Sequence, residues 1–264
     1  MVERNGLSSL LADLADEGEY LEALVSRPEV SLRAPTPAAG WTVAHQIGHL
    51  HWSDLVSIQA ITDPVAFAAT AELFQQDPGL IDRTAGELAE RAPVGLLAAW
   101  RADRARLISL LEQVPHGTRI PWFGPPMGAG SMATARIMET WAHGVDISDT
   151  LGLSPAATTR LHHVADLGVR TRRFAYSVHG QSAPEDPVRV ELAGPGGQIW
   201  VWGPEGSRDL VRGPALDFCL LVTRRRHPAD LDLVLTGSAV GWAQIAQAYA
   251  GPPGAGRGPT RRVR

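Results

Sequence analysis

The hydrophobic period of this chain changes once, near residue 180, and that change limits the fold more than any other feature. Before it, apolar residues recur at helical spacing. Leu7, Leu10, Leu11, Leu14, Leu21 and Leu24 share one face with acidic residues between them, which predicts an amphipathic helix over about residues 5–26. Thr42 is placed to cap a second helix running through Trp52 toward Ile61. Asp63–Pro64 breaks it, and residues 64–77 continue as another helix. A long helix is expected over residues 84–113, with Leu96, Leu97, Trp100, Leu107 and Leu110 on its apolar face. Ser131 is placed to cap a helix ending near Leu151, and Ser154–Pro155 to start one ending near Val178. Roughly five helices with short connections describe a bundle.

After Gly180 the period shortens to two. Val188, Val190 and Leu192 alternate with polar residues, Gly194–Gly197 makes a turn, and Ile199 and Val201 alternate back, so residues 187–203 predict a β-hairpin. A helix over 213–223, a strand over Leu231–Leu235 and a helix over Ala239–Tyr249 follow. The fold class expected is therefore α plus α+β: a helical bundle over 1–180 and a small α+β domain over 187–250. Residues 251–264, rich in Gly, Pro and Arg, predict a disordered tail. A length of 264 residues suits two small domains.

Composition excludes more than it suggests. A net charge of −4 is too mild to point to nucleic acid, and the basic residues are unevenly placed, with visible clusters at Arg224–Arg226 and at Arg261, Arg262 and Arg264. One cysteine, Cys219, rules out an intrachain disulfide and any multi-cysteine metal site, and its apolar surroundings read as a buried thiol. No basic segment precedes an apolar core at the start, and no stretch approaches the roughly 18 apolar residues of a membrane span. A cytoplasmic protein without membrane or nucleic-acid partners is the simplest expectation, with a small molecule as substrate; a homodimer is left open.

Glu139 and His143 lie four apart on a predicted helix, so both side chains leave from one face and can grip one cation. Arg136 and Asp146 flank that face as candidates to orient a ligand. The second helix offers a third ligand from His45, His49 or His51; His45 and His49 share a face, and His51 points away from His49. Two imidazoles and a carboxylate suit zinc, or nickel, cobalt or iron, and three protein ligands leave an open position, as in catalytic zinc. A Glu–His pair at this spacing is also common without a metal, and spacing alone leaves that alternative and the choice among the histidines open.

The run Gly40–Trp41–Thr42–Val43 followed by His49–Leu50, and then Glu139–Thr140–Trp141–Ala142–His143–Gly144–Val145–Asp146, resembles the DinB-like superfamily, most closely its mycothiol-dependent maleylpyruvate isomerase branch. The resemblance spans nearly the whole chain. It implies a metal-binding four-helix-type bundle followed by a small sterol-carrier-like α+β domain. It implies His49, Glu139 and His143 as ligands, usually of zinc, and leaves His45 as a pocket wall and His51 as a surface residue. It also implies a low-molecular-weight thiol such as mycothiol at the open position, where a bound thiol loses its proton.

Further expectations come from position. His45, one turn before His49, is the candidate general base, with a packed helix histidine as the alternative. Trp52 and Trp141 belong to the core first and a pocket wall second, and the Trp122–Met127 loop is long enough to cover a site. Arg224 and Arg226, beside Arg225 and His227, are candidates to bind an anionic cofactor or substrate group, against a plain solvated loop. The activity expected is a metal-dependent isomerase or thiol transferase acting on a small electrophile. The alternatives are a thiol-independent metal-assisted hydrolase, lyase or cyclase of specialised metabolism, and a metal- or ligand-binding protein without turnover.

Overall fold

In a computed structural model, which describes residues 2–77, 79–90, 93–251, 253–254 and 256–260, the chain divides into two compact units, 1–155 and 156–264. The first holds α1 (Val2–Val25), α2 (Val43–Thr62), α3 (Pro64–Gln76), α4 (Leu80–Ala89), α5 (Pro93–Gln113) and α6 (Ala129–Thr150). The helix expected over 84–113 is thus two helices, and the second begins at a proline, a residue that suits the first turn of a helix and not its interior. The cap of α6 is Gly128 and not Ser131, so the helix starts earlier than the serine suggested.

The bundle core comes in two apolar clusters. One joins Leu11 and Leu14 of α1, Val56 and Ile58 of α2, Leu107 and Leu111 of α5, and Met132 and Ile137 of α6. The other joins Leu21 and Leu24, Val43, Ile47 and Leu50, Leu96 and Trp100, and Ile147 of the same four helices. Between them lies a band in which buried side chains are polar: Glu17, His51, Ser53, Asp54, Arg104, Arg136, His143 and Asp146. Trp52 packs against both clusters. Gly48 lets α4 close on α2, since a Cβ there would stand 2.6 Å from the Ala85 carbonyl oxygen. Burial of the two clusters is the main stabilising term of the unit, at about 25 cal/mol per Å² of apolar surface.

The second unit holds α7 (Leu161–Arg170), α8 (Arg172–Val178), β1 (Val188–Ala193), β2 (Ile199–Trp202), β3 (Asp209–Pro214), α9 (Ala215–Val222), β4 (Val234–Thr236) and α10 (Ser238–Ile245). The sheet order is β2-β1-β3-β4; β1 and β2 form the expected antiparallel hairpin, β1 and β3 are parallel, and β3 and β4 antiparallel. Val188, Val190, Leu192 and Val211 are buried on one sheet face with Phe218 of α9 and Trp242 of α10 also buried. The boundary differs from the one expected near 178–187. The stripe Leu161, Val164, Ala165 and Gly168 of α7 is buried, and a Cβ at Gly168 would meet the Val222 side chain at 2.8 Å, so α7 packs on α9. A helical stripe shows that a helix buries a face, not which core receives it.

Of the tail expected to be disordered, the Thr260 N–H donates to the Asp230 carboxylate at 2.8 Å; Arg261, Arg262 and Arg264 lie outside the described residues. Cys219 is buried, and burial pushes its thiol well above the ordinary range. Among the described residues no helix is long and apolar enough to cross a membrane.

Candidate metal centre

The three residues singled out by the resemblance meet at this level of the bundle, His143 buried and His49 and Glu139 half-buried. His49 of α2 and Glu139 and His143 of α6 each offer one ligand atom, all within 4.8 Å of one another; this is the only such group of His, Cys, Asp and Glu among the described residues. Glu139 Oε2 lies 3.4 Å from His143 Nε2 and 3.8 Å from His49 Nε2. Two ligands each about 2.0–2.1 Å from a tetrahedral zinc stand about 3.3–3.4 Å apart, so the donor set fits such an ion with little movement. The imidazole rings lie 4.6 Å apart by centroid, tilted. His49 Nδ1 is buried with no hydrogen-bond partner among the described residues.

Electrostatics favour a full negative charge at the centre. Burial alone would raise the Glu139 carboxyl, but the neighbouring His143, His49 and Arg136 together hold it well below the usual carboxylate range. Arg136 Nη2 is 3.9 Å from Glu139 Oε1, and Arg136 Nη1 donates to Ser53 Oγ on α2. The guanidinium also lies 5.6 Å from the Trp122 ring centroid. Arg136 is thus beside the Glu139 carboxylate as its spacing suggested, and Asp146 is buried further along α6.

The best-placed neighbour of the triad was not anticipated. Gln46, fully buried on α2, accepts the His143 Nδ1–H on its Oε1 and donates from Nε2 to Thr36 Oγ1 at 2.8 Å. Thr36 Oγ1 donates in turn to the Trp41 carbonyl at 3.0 Å. The start of α2 anchors the same loop, because the Val43 and Ala44 N–H groups donate to the Ala34 and Leu32 carbonyls. Trp41, to which the sequence assigned no role, lies at 6.0 Å and nearly parallel to His143, and at 5.5 Å from His49. Its indole N–H donates to Asp82 of α4 at 3.0 Å.

The remaining histidines separate. His45 Nδ1 accepts from the Thr42 N–H at 3.3 Å and lies 2.8 Å from Thr42 Oγ1, which makes it part of the α2 cap; its ring is 6.3 Å from Trp41. It is not in the three-donor group. His51, expected at the surface, is buried and paired with Asp103 of α5 at 2.8 Å, because its face of α2 turns toward α5. Trp52 lies 5.8 Å from His49 and stacks on Phe123 at 6.0 Å; Trp141 is buried. The Trp122–Met127 loop is pinned by paired hydrogen bonds between Ile120 and Met127, and Phe123 at its tip meets Phe67 and Phe74 of α3. An aromatic wall therefore runs from the loop through Trp52 to the triad.

In the second unit Arg224 and Arg226 line one small cavity of about 60 Å³ with His227 and Arg257. Arg224 has φ +58°, a backbone conformation costly for a residue with a Cβ, and its Nε and Nη1 are buried without a hydrogen-bond partner among the described residues.

Residues 14–148 match the family described as the mycothiol maleylpyruvate isomerase N-terminal domain. Two uncharacterized proteins of Mycobacterium tuberculosis are each 50% identical over 250 residues, covering 94% of this chain and 97% of theirs. The fold is similar to the crystal structure of the mycothiol-dependent maleylpyruvate isomerase, with a TM-score of 0.58 at 15% identity over 83% of this chain and 89% of that one. A variant of the same enzyme gives 0.57 over the same coverage. The chain belongs to the mycothiol maleylpyruvate isomerase N-terminal domain family, as the motifs around His49 and Glu139–His143 implied.

Proposed function

We propose that this chain is a metal-dependent enzyme that isomerises a small organic electrophile or transfers a thiol to it, with zinc bound by His49, Glu139 and His143 and mycothiol as the thiol. The observation that carries the reading is the convergence of two imidazoles and an ionised carboxylate within 4.8 Å. The family description and the fold neighbour supply the thiol and the isomerase chemistry. A zinc ion with three protein ligands supplies a Lewis acid that lowers the pKa of a bound thiol or polarises a bound carbonyl.

The chain's own residues do the rest. Glu139 brings the negative charge that draws a cation to the two imidazoles. Arg136 holds the carboxylate's second oxygen side, so Glu139 keeps one oxygen toward both histidines. Trp41 and Trp52 flank the histidine rings and displace water from beside them. An electrophile admitted there meets an apolar wall and a single charged centre.

The test has two stages. Elemental analysis of the purified chain is expected to find about one equivalent of transition metal, and His143→Ala to lose it; full metal in that variant would remove the assignment. Calorimetric titration of the metal-loaded chain with mycothiol and with glutathione then tests the thiol. Binding of mycothiol that disappears in the metal-free protein supports the reading, and no binding of either thiol removes its thiol half.

A further inference from the structure

We propose that Gln46 is a positioning residue that selects which nitrogen of His143 is offered to a cation and ties that choice to the Thr36–Trp41 loop. The inference rests on the metal centre proposed above, and it concerns a residue outside the ligand set.

Three contacts carry it. Gln46 is fully buried and its amide can be oriented only one way if both ends are to be used. Nε2 has a hydroxyl acceptor in Thr36 Oγ1, whose own proton goes to the Trp41 carbonyl. The carbonyl end is then left toward His143 Nδ1, and a carbonyl oxygen accepts but cannot donate. His143 therefore carries a proton on Nδ1, and in the neutral ring the Nε2 that faces Glu139, 3.4 Å away, is the nitrogen offered to a cation. A ring free to change tautomer would present an N–H to the same place in part of the population and repel a cation.

The relay also has a chemical character. The partner of a metal-ligating histidine is often a carboxylate, which raises the ligand's basicity. Gln46 gives the orientation without the charge, so the set His49–Glu139–His143 keeps one negative charge and no more from this direction. The other end of the amide reaches the loop that carries Trp41, whose indole is stacked beside His143 and tilted against His49. One side chain thus connects a candidate ligand to the loop that carries the aromatic cover.

Zinc(II) titration of the metal-free full chain in competition with a chromophoric chelator measures the effect. Gln46→Leu, which keeps the volume and removes both hydrogen bonds, is expected to weaken zinc about 10–100-fold. Gln46→Glu, which restores an acceptor for Nδ1–H, is expected to return the affinity to the wild-type value or above it. Thr36→Val, which releases the amide and the Trp41 carbonyl but leaves the Gln46 oxygen on His143, is expected to give a smaller loss than Gln46→Leu. Wild-type affinity in a natively folded Gln46→Leu variant overturns the proposal and leaves the metal centre standing, whereas failure of the wild-type chain to bind zinc overturns both. Should Gln46→Leu not fold, long-range proton–nitrogen spectra of the metal-free wild type decide: a neutral His143 protonated on Nδ1 supports the proposal, and one protonated on Nε2 overturns it.

Discussion

Asp54 is the side chain whose charge the bundle holds least comfortably. It is buried in the polar band, where burial raises its carboxyl from 3.8 to about 7 against the lowering effects of Arg136, Arg104 and the Trp100 indole N–H, which donates at 3.1 Å. The folded chain therefore binds this proton more tightly than the unfolded chain does. Between about pH 4 and pH 7 the folded state carries a proton that the unfolded state has shed, so stability from this group falls as pH rises, by at most about 1.4 kcal/mol per unit. Above about pH 7 both states are ionised and the contribution is flat. Asp54→Asn keeps an acceptor for Trp100 and removes the titration. Urea unfolding of both proteins at pH 5, 6, 7 and 8 is expected to show the wild type losing ground to the variant across the first three values; parallel profiles would contradict it.

At the same scale, sequence and structure part company over Gln46. Ligand types and motif context mark His49, Glu139 and His143 in the sequence, and the structure brings their donor atoms within 4.8 Å of one another. A glutamine on a helix carries no such mark. Its role depends on a histidine 97 residues away and on a threonine in the preceding loop, and only the fold brings these together.

Among the elements, α2 makes a close contact with backbone. Gly48 faces the Ala85 carbonyl oxygen of α4, and a methyl group there would sit 2.6 Å from it. Gly48→Ala is expected to cost about 1–3 kcal/mol through forced separation of the two helices. Gly95 of α5 is exposed with nothing within 4 Å of a Cβ, so Gly95→Ala is expected to stabilise by about 0.5–1 kcal/mol as an ordinary helix substitution. Thermal melts of the two variants should therefore move in opposite directions; a Gly48→Ala variant as stable as wild type would show that α4 can yield. Helices were the legible elements because a 3.6-residue stripe persists over several turns. β3 was not, since Asp209–Pro214 is six residues long and includes Arg212, Gly213 and Pro214, and it gains its strand identity from pairing with β1.

For the molecule as a whole, the three donors come from two helices nearly a hundred residues apart in sequence, so an ion bound by them would hold the 1–155 unit together in a way the unfolded chain cannot match. Zinc at 100 times its Kd is expected to add about 2.7 kcal/mol to the stability of that unit. Hydrogen exchange of α2 and α6 amides with and without zinc reads this directly, and unchanged protection under saturating zinc would speak against a shared site. The two-unit organisation was visible in the change of period near residue 180, but the break in packing falls at 155, before α7.

The polar band also serves as an index mark. A four-helix core made only of leucines could slip by a turn at small cost, because each turn would find another leucine. Here, sliding α6 one turn in one direction would set Arg136 where Met132 now sits, inside the first apolar cluster. Sliding it the other way would set His143 in the place of Ile147, inside the second. Either slip strands a charged or polar group in hydrocarbon at a cost of several kcal/mol. The same residues that gather at the candidate centre thereby fix the alignment of the helices that present them, so the address of the site and the register of the bundle are written in one layer.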